Sequence, residues 1–345
     1  MPRGGVVKMR DNTEMQTFLA CPRRWWYRYR ERLAPKRKAL ALDSGSVLHE
    51  CCQLIYQGRE WRPKLLGWET EKLVETANAE EADTVGDKVE RLTAALTEYE
   101  LFVRERDDFK LLAGEQEFQW RVPGARTVLV GRVDGILEGP EGHRWLLELK
   151  SSSRRYDTHL LQMDRQLLTY LLAMQTRVEG LVGVQMHVLY LGLPSAKINK
   201  DGRPSTAASM HTDRDTLQAA IDEVAASEVK LDPDLYAEAL QSLPSRRDYL
   251  LQFFGNSYTQ DQLSRFLSAD ITPLCRLIDS AIGKDATPRH TGQLTCNLCA
   301  YARLCIAEFH GDDTQALRDG DFYVAAPREH LSSNTGWEGG ETNGD

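Results

Sequence analysis

Midway along the chain the apolar pattern changes period, and this limits the possible folds more than any other feature. Leu111–Val122, Thr127–Leu137 and Arg144–Leu149 are strand-like runs, separated by the turn signals Pro123-Gly124 and Gly139-Pro140-Glu141-Gly142. Asp157–Met174 returns to helical spacing, and Leu181–Leu193 is apolar and β-branched enough for a buried strand. Two apolar periods, 2 for strands and 3.6 for helices, alternate in one stretch, so the expected class is α/β with the order helix, three strands, helix, strand.

The flanks read as helical. Residues 1–10 form a leader, Thr13 with Gln16 matches a capping box, and Pro22 should end that helix and open the next. Over 22–32 a helix would align Arg24, Arg28 and Arg32 in one stripe and Trp25 with Tyr29 in another. Pro35 to Asp43 is a basic linker, Ser46–Gln57 an apolar helix stopped by Gly58, and 69–106 one or two solvated helices. Beyond a polar loop at 195–210, residues 213–283 are mostly helical, broken near Asp232-Pro233 and Pro244. The chain turns acidic after His310, and Leu331–Asp345 has the composition of a disordered segment.

The 345 residues, 41% of them hydrophobic, suffice for one large core or two smaller ones. No apolar run is long enough to span a membrane and no signal-peptide core precedes the first helix, so the expectation is a soluble, intracellular protein with no membrane partner. The net charge of −8 conceals segregation, because Arg23, Arg24, Arg28, Arg30, Arg32, Lys36, Arg37 and Lys38 face one acid, Glu31, while the acidic excess lies elsewhere. Arginines neutralise phosphates and aromatic rings stack on unpaired bases. The Arg24, Arg28 and Arg32 stripe is therefore read as a DNA contact, and Trp25, Tyr27 and Tyr29 as core.

Gly131-Arg132-Val133-Asp134 falls in the second strand-like run, and Glu148-Leu149-Lys150 ends the third. Alternation on a strand puts Glu148 and Lys150 on one face, and Asp134 reaches that face if the two strands pair. Two carboxylates suit a hard divalent ion such as Mg²⁺, and an amine beside them can position a water or balance developing charge. A bare D-(x)n-E-x-K match is common by chance, and a surface ion pair is the alternative. Position weighs against it: the pair follows Trp145-Leu146-Leu147, at a buried strand's end where unused charge is costly. His49, on the apolar helix after Gly45, is either a satisfied core histidine or a further ligand, especially for Mn²⁺. Gln166 and Tyr170 lie one turn apart on the following helix and are either routine surface or a site-organising pair.

Seven cysteines in a chain without a secretion signal argue against a disulfide framework. Cys296-x-x-Cys299-x5-Cys305 places three soft ligands in ten residues, one short of the four thiolates that either zinc or an iron–sulfur cluster takes. Cys51, Cys52 and Cys275 read as ordinary buried cysteines. No G-x-x-x-x-G-K-[ST] loop occurs.

Taken in order, Gly45 to His49, Glu115-x-x-Phe118, Gly131-x-x-Asp134-Gly135, Glu148-Leu149-Lys150 and Gln166-x-x-x-Tyr170 resemble the motifs of RecB-type nucleases in the PD-(D/E)XK superfamily. The likeness spans roughly residues 12–190 and resumes at 290–310, where Cys21-Pro22-Arg23-Arg24-Trp25 and the C-terminal cysteines are similar to the cluster motif of CRISPR-adaptation exonucleases and of the AddB nuclease. The resemblance implies an αβββαβ core with a central mixed sheet, helical insertions and a C-terminal region stapled by a 4Fe-4S cluster on Cys21, Cys296, Cys299 and Cys305. It implies His49, Asp134 and Glu148 as ligands for Mg²⁺ or Mn²⁺, Lys150 as the catalytic lysine, and Gln166 and Tyr170 as the pair behind the catalytic strand. Glu115 matches a further acidic position, with Glu117 close by. The expected organisation is one domain over 1–310, with a core at about 44–193, an insertion at about 211–285, and a partly disordered acidic tail over 311–345. The expected activity is exonucleolytic hydrolysis of single-stranded DNA or DNA ends in recombination, repair or CRISPR-type adaptation, with a helicase, integrase or recombinase as partner. The competing expectation is an inactive DNA-end-binding subunit, or an interaction protein stapled by zinc or iron–sulfur.

Overall fold

A computed structural model of the protein describes residues 8–36, 40–76, 78–106, 108–199, 211–226, 231, 233–282 and 287–326. Arg37, Lys38, most of the expected polar loop and the end of the tail lie outside those residues.

The strands are β1 (Lys8–Arg10), β2 (Leu33–Pro35), β3 (Lys110–Ala113), β4 (Gln116–Arg121), β5 (Thr127–Val133), β6 (Gly135–Glu138), β7 (Arg144–Ser152), β8 (Leu181–Tyr190), β9 (Leu251–Ser257) and β10 (Phe322–Val324). The helices are α1 (Asn12–Ala20), α2 (Pro22–Trp25), α3 (Leu40–Tyr56), α4 (Arg62–Glu75), α5 (Ala79–Glu105), α6 (Thr158–Leu161), α7 (Arg165–Gln175), α8 (Arg214–Ala225), α9 (Pro233–Ser242), α10 (Arg246–Leu250), α11 (Gln260–Phe266), α12 (Thr272–Ile282), α13 (Gln293–Asn297), α14 (Ala302–His310) and α15 (Gln315–Asp321). The fold is mixed α/β. None of the described helices is long and apolar enough to cross a membrane.

The chain divides into two compact units. Ala39–Gln116 with Arg132–Thr259 make one; Met1–Lys38, Glu117–Gly131 and Gln260–Asp345 make the other. The first holds a five-stranded sheet in the order β3-β6-β7-β8-β9. Only β7 and β8 run parallel; β3–β6, β6–β7 and β8–β9 are antiparallel. One face is apolar: Leu137, Leu147, Leu149, Leu189 and Leu251 share a cluster with Val47, Leu48, Cys51, Cys52 and Ile55 of α3 and with Leu92, Leu96 and Tyr99 of α5. Fully burying a leucine contributes about 1.5–3 kcal/mol, so this face fixes the register of β7. Leu147 and Leu149 point into it, which turns Glu148 and Lys150 the other way.

In the second unit, β1-β5-β4 form a small sheet, with β1 parallel to β5, and β2 pairs antiparallel with β10. Arg10, 1% exposed, holds the small sheet to two helices. Its guanidinium donates to Thr127 Oγ1 at 2.5 Å and Asp279 Oδ1 at 2.8 Å, and lies 3.4 Å from Glu14.

Several expectations are corrected here. The run Leu111–Val122 is two strands, β3 and β4, that enter different sheets; the break falls at Gly114-Glu115. Thr127–Leu137 is likewise interrupted at Asp134, between β5 and β6. The region 213–283 is mostly helical as expected, but it also holds an unforeseen strand, β9, which pairs with β8 at the sheet edge. Asp11, not Thr13, caps α1, its carboxylate accepting from Glu14 N at 2.7 Å. The Glu14 carboxylate accepts from Trp25 Nε1 at 3.0 Å. Finally, α2 continues as a π turn, Trp26–Arg30, closed by Glu31 N donating to Trp26 O at 3.1 Å. Arg32 lies beyond it with φ 58°, so the three-arginine stripe does not form.

Candidate active site and cysteine region

The expected catalytic residues all fall within the five-stranded unit. Asp134 sits where the chain leaves β5 and enters β6. Its Oδ2 accepts the Leu149 N–H at 2.7 Å, which fastens the acid to the middle of β7. On α3, His49 places Nδ1 3.1 Å from Asp134 Oδ1. Burial works against a charge on His49, but the Asp134 hydrogen bond and the charges of Asp134 and Glu148 outweigh it and raise its pKa.

Glu148 is 3% exposed and Asp134 7%. Lys150 Nζ lies 2.5 Å from Glu148 Oε1 and donates to Gln166 Oε1 at 3.2 Å. Gln166 Nε2 donates to the same Glu148 oxygen at 2.6 Å. Asp164 holds Gln166 in place by capping α7 through Leu167 N at 3.0 Å. Tyr170, one turn further along, is half-buried.

The electrostatics is that of a crowded site with two buried carboxyls. Burial pushes the Glu148 carboxyl well above the usual carboxylate range; the Lys150 ammonium pulls it back in part, and the Asp134 charge pushes it up again. Lys150 is also raised, the charges of Glu148 and Asp134 outweighing its burial. Two buried acids that repel each other are what a divalent cation relieves, and both offer hard oxygens. Glu115, the uncertain further acid, is half-buried and paired with Arg132 Nη1 at 2.6 Å.

The four expected cysteine ligands all lie in the other unit. Cys21 separates α1 from α2, Cys296 is on α13, Cys299 follows it and Cys305 is on α14. Burial raises the Cys299 thiol; the Tyr301 N–H and the Arg24 charge lower it in part, and the neighbouring Cys21 and Cys296 raise it. Cys299 and Cys305 pack against a cluster of Tyr27, Leu33, Tyr301, Leu304 and Phe322. Sulfurs here accept hydrogen bonds: His290 N donates to Cys21 Sγ at 3.4 Å and Arg289 Nε to Cys305 Sγ at 3.2 Å. Among the described residues, no three His, Cys, Asp or Glu side chains form a group able to hold a metal ion as they stand.

The expected split between aromatic core and basic surface holds in part. Trp25 and Tyr27 are buried, Tyr29 half-buried. Arg28 and Arg32 are exposed. Arg24 is half-buried beside Cys299, and its Nε finds no hydrogen-bond partner among the described residues.

The sequence profile of the PD-(D/E)XK nuclease superfamily matches residues 12–306. The chain belongs to that superfamily. PD-(D/E)XK nucleases hydrolyse nucleic acid with divalent metals such as Mg²⁺ or Mn²⁺, and DNA is the substrate the membership implies. No curated protein sequence matches this PD-(D/E)XK chain. A solved structure described as "Crystal structure of SSO0001" is similar at 13% identity and a TM-score of 0.29, over 70% of this chain and 94% of its own.

Of the groups that hold these residues, sequence reasoning singled out Gln166, which bridges Lys150 and Glu148, and missed the others. The Leu149 N–H that anchors Asp134 carries no side-chain signal. Arg289 and His290 stand outside any cysteine spacing; nearness to Cys296 is their one sequence cue.

Proposed function

We propose that this PD-(D/E)XK protein is a Mg²⁺- or Mn²⁺-dependent DNA exonuclease of the RecB-like type, acting on single strands or DNA ends. The observation that carries the reading is the chain of contacts His49–Asp134–Leu149 N and Lys150–Glu148–Gln166 at one stretch of β7. Asp134 and Glu148, with His49, would hold the ion. When bound, it supplies the positive charge that activates a water and stabilises the leaving oxygen. Lys150 carries its proton at Nζ and would donate to the attacking water or to the scissile phosphate. Gln166 keeps Lys150 and Glu148 in register, and Tyr170, one turn further along α7, would be the second member of that supporting pair.

The thiols of Cys21, Cys296, Cys299 and Cys305 would ligate a 4Fe-4S cluster, with zinc as the other occupant four thiolates accept. Sulfurs that already accept N–H donors, with a buried arginine nitrogen left over beside them, support that reading. A closure joining Cys21 to the C-terminal cysteines spans most of the chain and removes unfolded-state entropy on the order of several kcal/mol. Exposed Arg28 and Arg32 would meet the phosphate backbone, with Arg24 set deeper. Unwinding by ATP would come from a partner such as a helicase, and recombination, repair and CRISPR-type adaptation are the roles that fit.

Digestion of end-labelled linear and circular DNA checks this. Wild type with Mg²⁺ or Mn²⁺ should degrade linear DNA from an end, and Asp134→Ala should not. Equal digestion by Asp134→Ala, or cutting of circles as fast as of linear DNA, would contradict it.

A further inference from the structure

The segment Thr287–His290 lies outside every motif used so far, yet it is stitched to the N-terminal cysteine turn at four points. Thr287 Oγ1 donates to Pro22 O at 3.2 Å, and Arg23 N donates to Pro288 O at 3.1 Å. His290 N donates to Cys21 Sγ at 3.4 Å, and its ring Nδ1 lies 2.8 Å from Ala20 O. Between them, Arg289 turns the other way and donates Nε–H to Cys305 Sγ at 3.2 Å. Two cysteines far apart in sequence are thus reached by N–H groups from consecutive residues.

The far side of Arg289 is anchored too. Its Nη2 lies 3.5 Å from Glu308 Oε2. Glu308 is itself held by Arg23, by Tyr27 Oη at 2.5 Å and by Arg318 Nη2 at 2.8 Å. A thiol is a weak acceptor and gains little from a guanidinium; a thiolate or metal-bound sulfur gains charge-assisted hydrogen bonding. Hydrogen bonds to cluster sulfurs are among the levers that set reduction potential, and they favour the reduced, more negative state.

We propose that Thr287–His290 is a strap that positions the Cys21 and Cys305 sulfurs, with Arg289 stabilising negative charge on Cys305 and so raising the reduction potential and slowing the loss of the cluster held there. The inference rests on the iron–sulfur reading above. Arg289 is a positioning residue: it acts through Cys305.

The test is anaerobic purification of wild type, Arg289→Ala and Arg289→Lys. Each is followed by iron and sulfide analysis, a redox titration read by electron paramagnetic resonance, and bleaching of the visible band in air. Arg289→Ala is expected to titrate at a more negative potential and to bleach several-fold faster. Arg289→Lys, which keeps the cation and loses the directed Nε–H, should fall between the two. If Arg289→Ala binds no iron, the lysine variant carries the comparison. A loaded Arg289→Ala with the potential and bleaching rate of wild type overturns the strap and leaves the cluster standing; so does a lysine variant identical to wild type when the alanine variant is empty. Wild type with neither iron nor a visible band overturns the cluster reading itself.

Discussion

Lys150→Ala in metal-free protein exposes the energetic conflict at β7. Glu148 is 3% exposed, and one of its oxygens accepts from both Lys150, at 2.5 Å, and Gln166, at 2.6 Å. Without the ammonium the carboxylate keeps one neutral donor. An uncompensated buried charge of this kind costs about 3–5 kcal/mol. The carboxyl can escape only by binding a proton. Burial already pushes it above its ordinary 4.5, and the variant loses the neighbour that pulls it back. The folded-state pKa then stands above the unfolded one, so the folded state binds the proton more tightly. Stability from this group is greatest below the unfolded pKa. It is lost as pH rises through the folded pKa, at about 1.4 kcal/mol per pH unit. Wild-type Glu148 is itself raised to about 7, so the two proteins lose stability in parallel up to there; the variant's deficit should therefore stay small near pH 5 and open only above about pH 7, by about 1.4 kcal/mol per pH unit, towards a ceiling of about 3 kcal/mol. Urea unfolding in EDTA at several pH values measures it. A deficit that does not change with pH would show that Lys150 does not compensate a buried Glu148 charge.

His187 on β8 gives an acid limit of the opposite kind. Arg106 Nη1, 3.3 Å from Nε2, can only donate, so Nδ1 carries the proton and donates to Tyr99 Oη at 2.8 Å. Burial, helped by the Arg106 charge, pulls the imidazole down to about 3 from 6.5. A depressed folded pKa means stability intact above pH 6.5 and lost as pH falls towards 3, at about 1.4 kcal/mol per unit. Acid unfolding of His187→Gln should lack that slope; identical slopes would rule the origin out. At Gly183, a Cβ would stand 2.2 Å from Asn256 O of β9 and 2.7 Å from the Trp145 ring. Gly183→Ala should therefore cost at least about 2–3 kcal/mol by urea unfolding, and a neutral result would mean that β9 does not press on β8 there.

The sequence made the sheet legible where the period of 2 was strong. β7 and β8 begin where the runs that predicted them begin and end three residues from the expected last residue: in β7 Leu147 and Leu149 alternate with Glu148 and Lys150, and β8 is buried and largely apolar. Asp134 was legible as chemistry but not as a strand break, since its carboxylate, not a backbone group, takes the Leu149 N–H. β9 was hidden inside a helical reading, although Leu251 and Phe253 alternate with polar Gln252. The arginine stripe failed for a local reason: closure of the chain at Glu31 N by an i→i+5 bond changes the angle per residue, and periodicity at 3.6 does not foresee it. The strap at Thr287–His290 combines two backbone groups with the side chains of Thr287, Arg289 and His290 in no periodic pattern, so no spacing announces it.

Mn²⁺ binding to metal-free protein, followed by electron paramagnetic resonance for wild type, Asp134→Asn and Glu148→Gln, asks whether both acids serve one ion. A single site in wild type, weakened in each variant by more than the roughly 10–100-fold that loss of an outer partner costs, is the expected result. Mn²⁺ bound as tightly by either variant as by wild type would contradict the shared-ion site and, with it, the hydrolytic role given to β7.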